Sequence, residues 1–402
     1  MLLVYLSGGC MKIIVSGQGY PEKRNIIVNK QHAYINFRYK NLWLYLNKIK
    51  QTFARSNKLF IFRPFGLLMP EDSQIIHLFN EVASTRKPWV STFETELPRV
   101  LPVPGLPKFS NPELSKQLRL VAAPQCVAIV AMSEAARQIQ LKLLAAFPDE
   151  AAAIVPKLHT LHPPQPVLYD GPRQQEDKVI FTFVGNEFYR KGGAEVVLAF
   201  SELADEGLID ADSVEVNLTG NLNHRYNFAH GNYQDDASFF QQIESLLSAH
   251  PFFKHTASRP NDEMIALFKR AHVGLLPSWQ DTYGFSVLEM QACGCPVIST
   301  NVRALPEINP AEAGWTIACP LNDMFELSIR SAEEKSALRR LLVTQLKAYV
   351  VAIIADSASV ASRSRCAVER ILTHHHPVRF QEQLNAIYAL ADEVADRHAS
   401  QA

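Results

Sequence analysis

The chain has 402 residues, and its 40 Lys and Arg balance its 40 Asp and Glu, so the formal net charge at pH 7 is zero. This length allows two domains with separate cores, and the balanced charge argues against nucleic acid as the main partner, since that binding needs a basic surface. No window approaches the ~20 apolar residues of a membrane-spanning helix, so we expect at most peripheral membrane association. Six scattered cysteines predict no disulfide framework and no zinc site, and they favour a reducing, cytoplasmic location.

The amino-terminal residues predict no secretory signal, because residues 1–6 lack a basic region and form only a short apolar stretch. Met11 begins a better first strand, which leaves Met1 and Met11 as alternative starts. Gly17 and Gly19 follow that strand. A dinucleotide-binding loop is a weak hypothesis there, because the third glycine is missing and Pro21 follows.

The first half alternates buried strands with helical segments, which predicts a parallel sheet. The predicted strands cover residues 11–16, 59–62, 89–92, 127–132 and 157–161. His77 lies in an apolar stretch, and we interpret it as a packed histidine rather than a catalytic one. Turn residues and charges between residues 161 and 177 predict a linker, with a domain boundary near residue 175.

The second half begins with a predicted buried strand over 180–185, followed by Arg190, Lys191 and two glycines before an amphipathic helix. Two cations after a strand end are suited to bracket a diphosphate through charge-assisted hydrogen bonds of about 1.5–3 kcal/mol each. The alternative is an ordinary solvated pair. Further along, we predict a strand over 214–220, an irregular polar insertion over 222–236 without an assigned function, and a helix over 261–270.

The segment 273–294 predicts a strand, a loop and a helix at the carboxyl edge of a parallel sheet. Gly284 permits close approach of a ligand, and the amides of Gly284, Phe285 and Ser286 would offer donors and a positive dipole end to an anion such as a diphosphate. Asp281 and Glu289 are suited to accept hydrogen bonds from vicinal sugar hydroxyls. Alternatively, Ser286 and Glu289 form a capping box that only satisfies the helix start.

The motif continues through a glycine stop at Gly294, a strand led by Pro296 and a second short helix ending at Ile308. The whole stretch resembles the acid-x7-acid motif and the following strand of the retaining GT-B glycosyltransferases of family four. The resemblance is closest over residues 120–320. It implies an α/β fold with two Rossmann-like, doubly wound domains facing across a cleft. The predicted domains are 1–175 on the acceptor side, 176–375 for the nucleotide sugar, and a helix over 376–402 that packs back on the first domain.

The resemblance implies transfer of a sugar from a nucleoside diphosphate sugar to a hydroxyl of a glycan, lipid-linked or small-molecule acceptor, with retained anomeric configuration. It implies no cofactor and no metal, because Arg190, Lys191 and the helix amides would stabilise the leaving diphosphate. By the same resemblance, Glu289 holds the ribose hydroxyls and Asp281 the donor sugar. Family members usually carry Glu at the position of Asp281, and the Asp side chain here is one methylene shorter.

Two further positions depart from the family pattern. Asn186 stands where members carry an Arg, and Glu94 stands where they often carry a His near the donor sugar. Glu94 is therefore a candidate catalytic residue with three open roles: contact with an acceptor hydroxyl, stabilisation of positive charge at the anomeric carbon, or an ion pair with Arg99. The departures leave two alternatives open, a non-catalytic nucleotide-sugar-binding protein and a sugar-nucleotide epimerase on the same fold.

The carboxyl-terminal region contains three consecutive histidines at 374–376. Adjacent side chains point in different directions, so we interpret them as a loop rather than a metal site. Beyond them, apolar residues recur at helical spacing and predict one buried helix face: Phe380, Leu384, Ile387, Tyr388 and Ala391.

Overall fold

The computed structural model describes residues 10–53, 57–171 and 176–399. These residues form two compact units, which divide between Pro164 and Gln165 and again between His376 and Pro377. The boundary predicted near residue 175 lies at the edge of residues 172–175, which are outside the described part, and the units divide earlier in the sequence. The predictions about the signal and the start concern residues 1–9, which also lie outside it.

The amino-terminal unit contains a six-stranded sheet in the order β2-β1-β4-β6-β7-β8, with all neighbouring strands parallel. A separate parallel pair joins β3 to β5. The strands are β1 (Lys12–Val15), β2 (Ala33–Asn36), β3 (Ile61–Phe62), β4 (Ile75–Phe79), β5 (Val82–Ala83), β6 (Trp89–Phe93), β7 (Cys126–Ala131) and β8 (Leu158–Thr160). The first helices are α1 (Tyr20–Asn25), α2 (Leu42–Phe53), α3 (Pro112–Ala122), α4 (Glu134–Leu144) and α5 (Pro148–Ile154).

The predicted parallel sheet of the first half is confirmed, and four of its strands were predicted to within one residue at each end. The strand predicted over 59–62 is the two-residue β3, which lies outside the main sheet, and β2 and β4 were not predicted. Every residue of β7 is buried, as expected for a parallel strand covered on both faces. Its continuous apolar run therefore made it readable from sequence.

The carboxyl-terminal unit contains a second six-stranded parallel sheet, in the order β11-β10-β9-β12-β13-β14. Its strands are β9 (Val179–Glu187), β10 (Val214–Asn221), β11 (Phe253–Thr256), β12 (Val273–Leu276), β13 (Val297–Thr300) and β14 (Trp315–Ile317). Its helices are α6 (Gly193–Asp205), α7 (Ala237–Ala249), α8 (Asn261–Arg270), α9 (Phe285–Ala292), α10 (Leu305–Ile308), α11 (Ala332–Ala355) and α12 (Ser357–His374). The strand order turns back between β9 and β12, which makes the loops after these two strands the natural ligand position in such a sheet.

The last helix, α13 (Pro377–Ala399), packs on the sheet of the amino-terminal unit. Its buried side chains, from Phe380 to Ala391, are those of the predicted stripe, and they share a core with Ile13 and Val90. His77 is fully buried in β4, and its Nδ1 lies 2.7 Å from Tyr388 Oη on α13. Its Nε2 lies 2.8 Å from Thr92 Oγ1, so the predicted packed histidine is confirmed.

Within the described ranges, no single helix has both the length and the apolar composition needed to cross a membrane. A pair of helices, Ala332–Ala355 and Ala358–Ala391, meets those criteria only when taken together, and it bends by 106°. Across the same residues, no group of three or more His, Cys, Asp or Glu side chains is arranged to hold a metal ion.

Candidate functional site

The loop between β12 and α9 carries the central motif. Helix α9 begins after Gly284, whose φ of 96° lies in the left-handed region that glycine adopts readily. A Cβ at this position would lie 2.5 Å from Leu305 Cδ2, so only glycine fits. No side chain caps the helix, and Ser286 lies inside it rather than at its N-cap. The capping-box alternative is therefore wrong, and the first turn presents its backbone amides at the carboxyl edge of the sheet.

A second helix starts in the same way beside it. Helix α6 begins after Gly192, which has a φ of 87° and no side-chain cap. A Cβ on Gly192 would lie 2.1 Å from the carbonyl oxygen of Pro277, just beyond β12. The start of α6 therefore packs directly on the loop that leads to α9. Two uncapped helix starts with positive dipole ends meet at this edge, which is an arrangement suited to an anion.

Lys191 and Asp281 lie together between these two helix starts. Lys191 Nζ is 2.5 Å from Asp281 Oδ2, although 90 residues separate them in sequence. The side chains are 19% and 7% exposed, so the pair is largely shielded from solvent. Gly185 allows this approach, because a Cβ there would lie 2.6 Å from Lys191 Cβ. The structure therefore brings two of the predicted site residues into direct contact.

Arg190 has a different environment from its neighbour. Its Nη1 donates to the carbonyl oxygen of Gln280 at 2.7 Å, and its Nη2 pairs with Glu187. The hydrogen bond from Arg190 holds the pKa of Glu187 below its ordinary value. The backbone amide of Trp279 also donates to the Arg190 carbonyl oxygen at 3.0 Å. Arg190 thus ties the loop after β9 to the loop after β12, and it is already engaged by protein groups.

Glu289 and Phe285 lie on α9, and both side chains are partly buried. Glu289 is on the second turn, on the same short helix whose amides face the sheet edge. The ring of Phe285 packs against Tyr283, with centroids 5.3 Å apart. These residues share one element with Gly284 and Ser286, so the predicted donor-side residues all come from the loops after β9 and β12 and the helix starts that follow them.

Glu94 lies in the other unit, directly after β6. Its Oε2 accepts a hydrogen bond from Asn80 Nδ2 at 3.1 Å, and its amide donates to Asn80 Oδ1 at 3.1 Å. Asn80 follows β4, so this reciprocal pair joins two strand ends of the amino-terminal sheet. An ion pair with Arg99 was one of the three roles left open for Glu94, and the guanidinium of Arg99 stacks on the ring of Phe60, with Cζ 4.8 Å from its centroid.

The insertion at 222–236 is irregular, as predicted, but it is not a simple surface segment. Asn227 and His230 are buried, and the ring of His230 packs edge to face on Trp279 at 4.5 Å. Asp235 is held by both Arg339 and Lys335 of α11, at 2.8 Å from each. Although burial opposes ionisation, these cations lower the pKa of Asp235. The insertion therefore braces Trp279, two residues before Asp281, and no local sequence signal indicated this.

The family of glycosyl transferases group 1 has a sequence profile that matches residues 170–348, which include every donor-side residue described above. The predicted resemblance is thereby confirmed: over these residues the chain is similar to the group 1 glycosyltransferases. Over 50 residues it is 38% identical to the D-inositol 3-phosphate glycosyltransferase of Corynebacterium jeikeium (strain K411), a stretch covering 12% of this chain and 12% of that relative. The chain thus matches only about an eighth of the length of that relative.

Solved glycosyltransferases share the fold of this chain along nearly its whole length. A glycosyltransferase from Rickettsia africae ESF-5 has a TM-score of 0.54 at 14% identity, covering 95% of this chain and 90% of that one. Anabaena HepE in complex with UDP and glucose has a TM-score of 0.52 at 13% identity, covering 94% and 99%. The predicted fold class, α/β with two Rossmann-like units of the GT-B type, is confirmed.

Proposed function

We propose that this protein is a glycosyltransferase that moves a sugar from a nucleoside diphosphate sugar to an acceptor hydroxyl, with retention of the anomeric configuration and without a divalent metal. The single observation that carries the proposal is the contact between Lys191 and Asp281 beside the starts of α6 and α9, where glycine occupies the N-cap position and no side chain caps the helix. It puts a cation, a carboxylate and two sets of backbone donors at one sheet edge. The structure of Anabaena HepE holds UDP and glucose, so a protein of this fold binds ligands of the proposed class.

Charge development decides what each group does. As the bond between the sugar and the diphosphate breaks, negative charge grows on the leaving group, and preorganised donors lower the barrier by stabilising it. The amides at the starts of α6 and α9 and the ammonium of Lys191 are suited to that role. The acceptor hydroxyl would give its proton to the leaving diphosphate oxygen as the new glycosidic bond forms, so the proposal needs no general base from the protein and no metal.

Asp281 and Glu289 are proposed to recognise hydroxyls rather than phosphate. Carboxylates are acceptors only, and vicinal hydroxyls are donors that one carboxylate can hold in pairs. In the protein alone, Asp281 accepts from Lys191. When a donor is bound, Lys191 would turn to the diphosphate and free Asp281 for the sugar. Glu289, farther along α9, would hold the ribose.

Arg190 is proposed to act as a brace instead of a second phosphate ligand. Its guanidinium already holds Gln280 and Glu187, and its carbonyl holds Trp279. It keeps Asp281 at a fixed distance from Lys191. A diphosphate would then meet one ammonium group together with the helix amides, with one cation fewer than the family pattern implies.

A thermal-shift screen of nucleotide sugars tests the donor site, because a ligand that binds only the folded state raises the melting temperature by mass action. We expect one donor to raise it, and we expect Lys191→Ala and Glu289→Ala to abolish that shift. Lys254→Ala is the matched control, since Lys254 is exposed on β11 and away from these loops. Normal donor binding by either site variant would contradict the assignment.

Product analysis tests the chemistry. Transfer with retention gives an acceptor glycoside whose anomeric NMR coupling matches that of the donor, and an inverted product would overturn the retaining mechanism. Undiminished transfer in EDTA is expected, and loss of transfer restored by added Mg²⁺ or Mn²⁺ would overturn metal independence. Tight donor binding without transfer or hydrolysis would favour a non-catalytic binding protein, and a new sugar epimer without acceptor would favour an epimerase.

A further inference from the structure

The amino-terminal unit contains a cavity of about 840 Å³ that none of the donor-side residues lines. It is lined by residues that directly follow β1, β4 and β6, by one side of α2, and by residues just before β3. Glu94 and Asn80 line it, which explains why a carboxylate stands directly after β6. The cavity therefore has polar groups from the carboxyl ends of three parallel strands, the usual position of a ligand in such a sheet.

Three carboxylates form what we call the acidic floor: Glu22, Glu81 and Glu94. All three are partly buried. Glu81 Oε2 is shut off from solvent and has no hydrogen-bond partner in the part of the chain that the structure describes, although Ser16 hydrogen bonds to the same carboxyl group. This oxygen is closed to the cavity as well, so ligand hydroxyls would meet the carboxylates of Glu22 and Glu94, which line the same floor.

Four cations form what we call the cationic mouth: Arg38, Lys48, Lys58 and Arg99. All four line the cavity and all four are exposed. Within the described ranges, none of them forms an ion pair with a carboxylate, in contrast to most cations of the carboxyl-terminal unit. Lys58 and Arg99 stack on the same aromatic ring, each 4.8 Å from the centroid of Phe60. Two positive charges are thus held at one side of the opening.

The acidic floor lies deeper in the cavity than the cationic mouth. The carboxylates are the partly buried residues and the cations are the exposed ones, so a bound molecule would meet acceptors inside and positive charge outside. Four cations stand against three carboxylates at this cavity, and burial opposes ionisation of Glu81 and raises its pKa. The cavity therefore has an excess of positive charge, which attracts anions and not cations.

We propose that this cavity binds the acceptor of the glycosyl transfer, and that the acceptor is a polyhydroxylated molecule bearing an anionic group. Its hydroxyls lie against the acidic floor, and its phosphate or carboxylate lies at the cationic mouth between Lys58 and Arg99. The inference rests on the proposed transferase function and adds the chemical class of the acceptor. A neutral glycan would leave the mouth unused, and a cationic acceptor would be repelled by it.

Matched pairs of acceptors test the charge requirement. With the donor found by thermal shift, transfer is measured to glucose, glucose 6-phosphate and glucuronate, to myo-inositol and myo-inositol 1-phosphate, and to glycerol and glycerol 3-phosphate. Binding of the same compounds without donor is measured by calorimetry. We expect at least one charged member to exceed its neutral partner by about tenfold in kcat/KM, roughly the worth of one charge-assisted hydrogen bond. The phosphate and uronate arms identify the anion.

Variants locate the effect. Lys58→Gln and Arg99→Gln are expected to raise KM for the charged member about tenfold each, with kcat and the neutral partner little changed. Glu94→Gln is expected to weaken charged and neutral members alike, because it acts on hydroxyls. Lys30→Gln is the control, since Lys30 is an exposed cation of the same unit that does not line the cavity. If Arg99→Gln fails to fold, Lys58→Gln alone decides, because its side chain is exposed.

The outcomes separate this inference from the donor assignment. The donor-induced thermal shift should persist in Lys58→Gln, because the donor residues lie in the other unit. If the donor shift is present but every neutral member equals or exceeds its charged partner, or if no charged member binds, the acceptor class is wrong and the transferase proposal stands. If the charged preference survives in both cation variants, the cavity is not its source.

Discussion

Arg339 in α11 sits at the centre of a buried charge cluster, and its replacement tests whether the 222–236 insertion is held by that cluster. Its Nη1 and Nη2 lie 3.0 and 2.8 Å from the two carboxylate oxygens of Asp235, and its Nε lies 2.9 Å from Glu195 Oε1. Glu195 is fully buried, and its Oε2 has no hydrogen-bond partner among the described residues. One guanidinium therefore compensates two shielded carboxylates.

Arg339→Met keeps an apolar stem and removes the guanidinium, whose Cζ lies 4.1 Å from the centroid of the Phe239 ring. Asp235 then retains Lys335 at 2.8 Å, whereas Glu195 loses its cation in this cluster. Removing one partner of a buried ion pair costs about 3–5 kcal/mol, because the remaining charge stays desolvated. At roughly 2–4 °C per kcal/mol for a unit of this size, the melting temperature should fall by roughly 6–20 °C.

Differential scanning calorimetry with urea unfolding measures the change, and Arg330→Met is the matched control. Arg330 pairs with Glu334 at 2.9 Å but is 80% exposed, so its loss should leave the melting temperature nearly unchanged. Adding Glu195→Gln to Arg339→Met should recover part of the loss, because a neutral amide is cheaper to bury than a carboxylate. Equal melting temperatures for Arg339→Met and Arg330→Met would refute the buried-charge reasoning.

Three further changes test other parts of the structure. Gly192→Ala would place Cβ 2.1 Å from the Pro277 carbonyl oxygen. Gly207→Ala is the control, because its φ is also positive (70°) but no atom lies near its Cβ, and it should cost about 1 kcal/mol. Gly192→Ala should destabilise the protein by well over that amount, and equal urea midpoints for the two variants would count against the contact. Burial lowers the pKa of His77 from 6.5 to about 3, so between these pH values only the unfolded chain binds a proton at this residue. The free energy of unfolding should therefore fall as pH drops from 6.5 towards 3, by up to about 1.4 kcal/mol per pH unit. His77→Gln should flatten the dependence of the urea midpoint on pH, and an unchanged slope would contradict this prediction. Asp281→Asn should lose transfer in a nucleotide-release assay while much of the thermal shift from donor remains, and parallel loss of both would remove its assignment to the sugar.

The sequence alone predicted those helices and strands whose residues share one environment along their whole length, such as full burial. Strand β7 is buried along its entire length and β12 likewise, so continuous apolar runs identified them. Helix α8 was predicted at its observed bounds, because Asp262 and Glu263 in its first turn and two cations in its last mark both ends. Gly284 was singled out from sequence as a point of close ligand approach, and the structure adds a second reason for glycine, a φ of 96° just before α9.

Elements with a mixed environment were not readable. Strand β2 has no fully buried residue, and β4 contains His77, whose polar ring interrupts the apolar run. The ring is tolerated only because Tyr388 and Thr92 supply hydrogen bonds from other elements. The same holds for the acidic floor, because the burial of Glu81 depends on loops that no local pattern brings together.

The two adjacent cations show where spacing ceases to predict a role. Arg190 and Lys191 are equivalent by sequence, and both were expected to bracket a diphosphate. The structure separates them, because Arg190 is held by Gln280 and Glu187 whereas Lys191 contacts Asp281. Arg190 replaced by Lys would lose the two-sided contact, since an ammonium cannot span both acceptors with fixed geometry. The position of Asp281 relative to Lys191 therefore depends on Arg190, so Arg190→Lys should reduce the rate of transfer more than it reduces donor affinity. A larger loss of donor affinity than of transfer rate would instead indicate that Arg190 binds the phosphate.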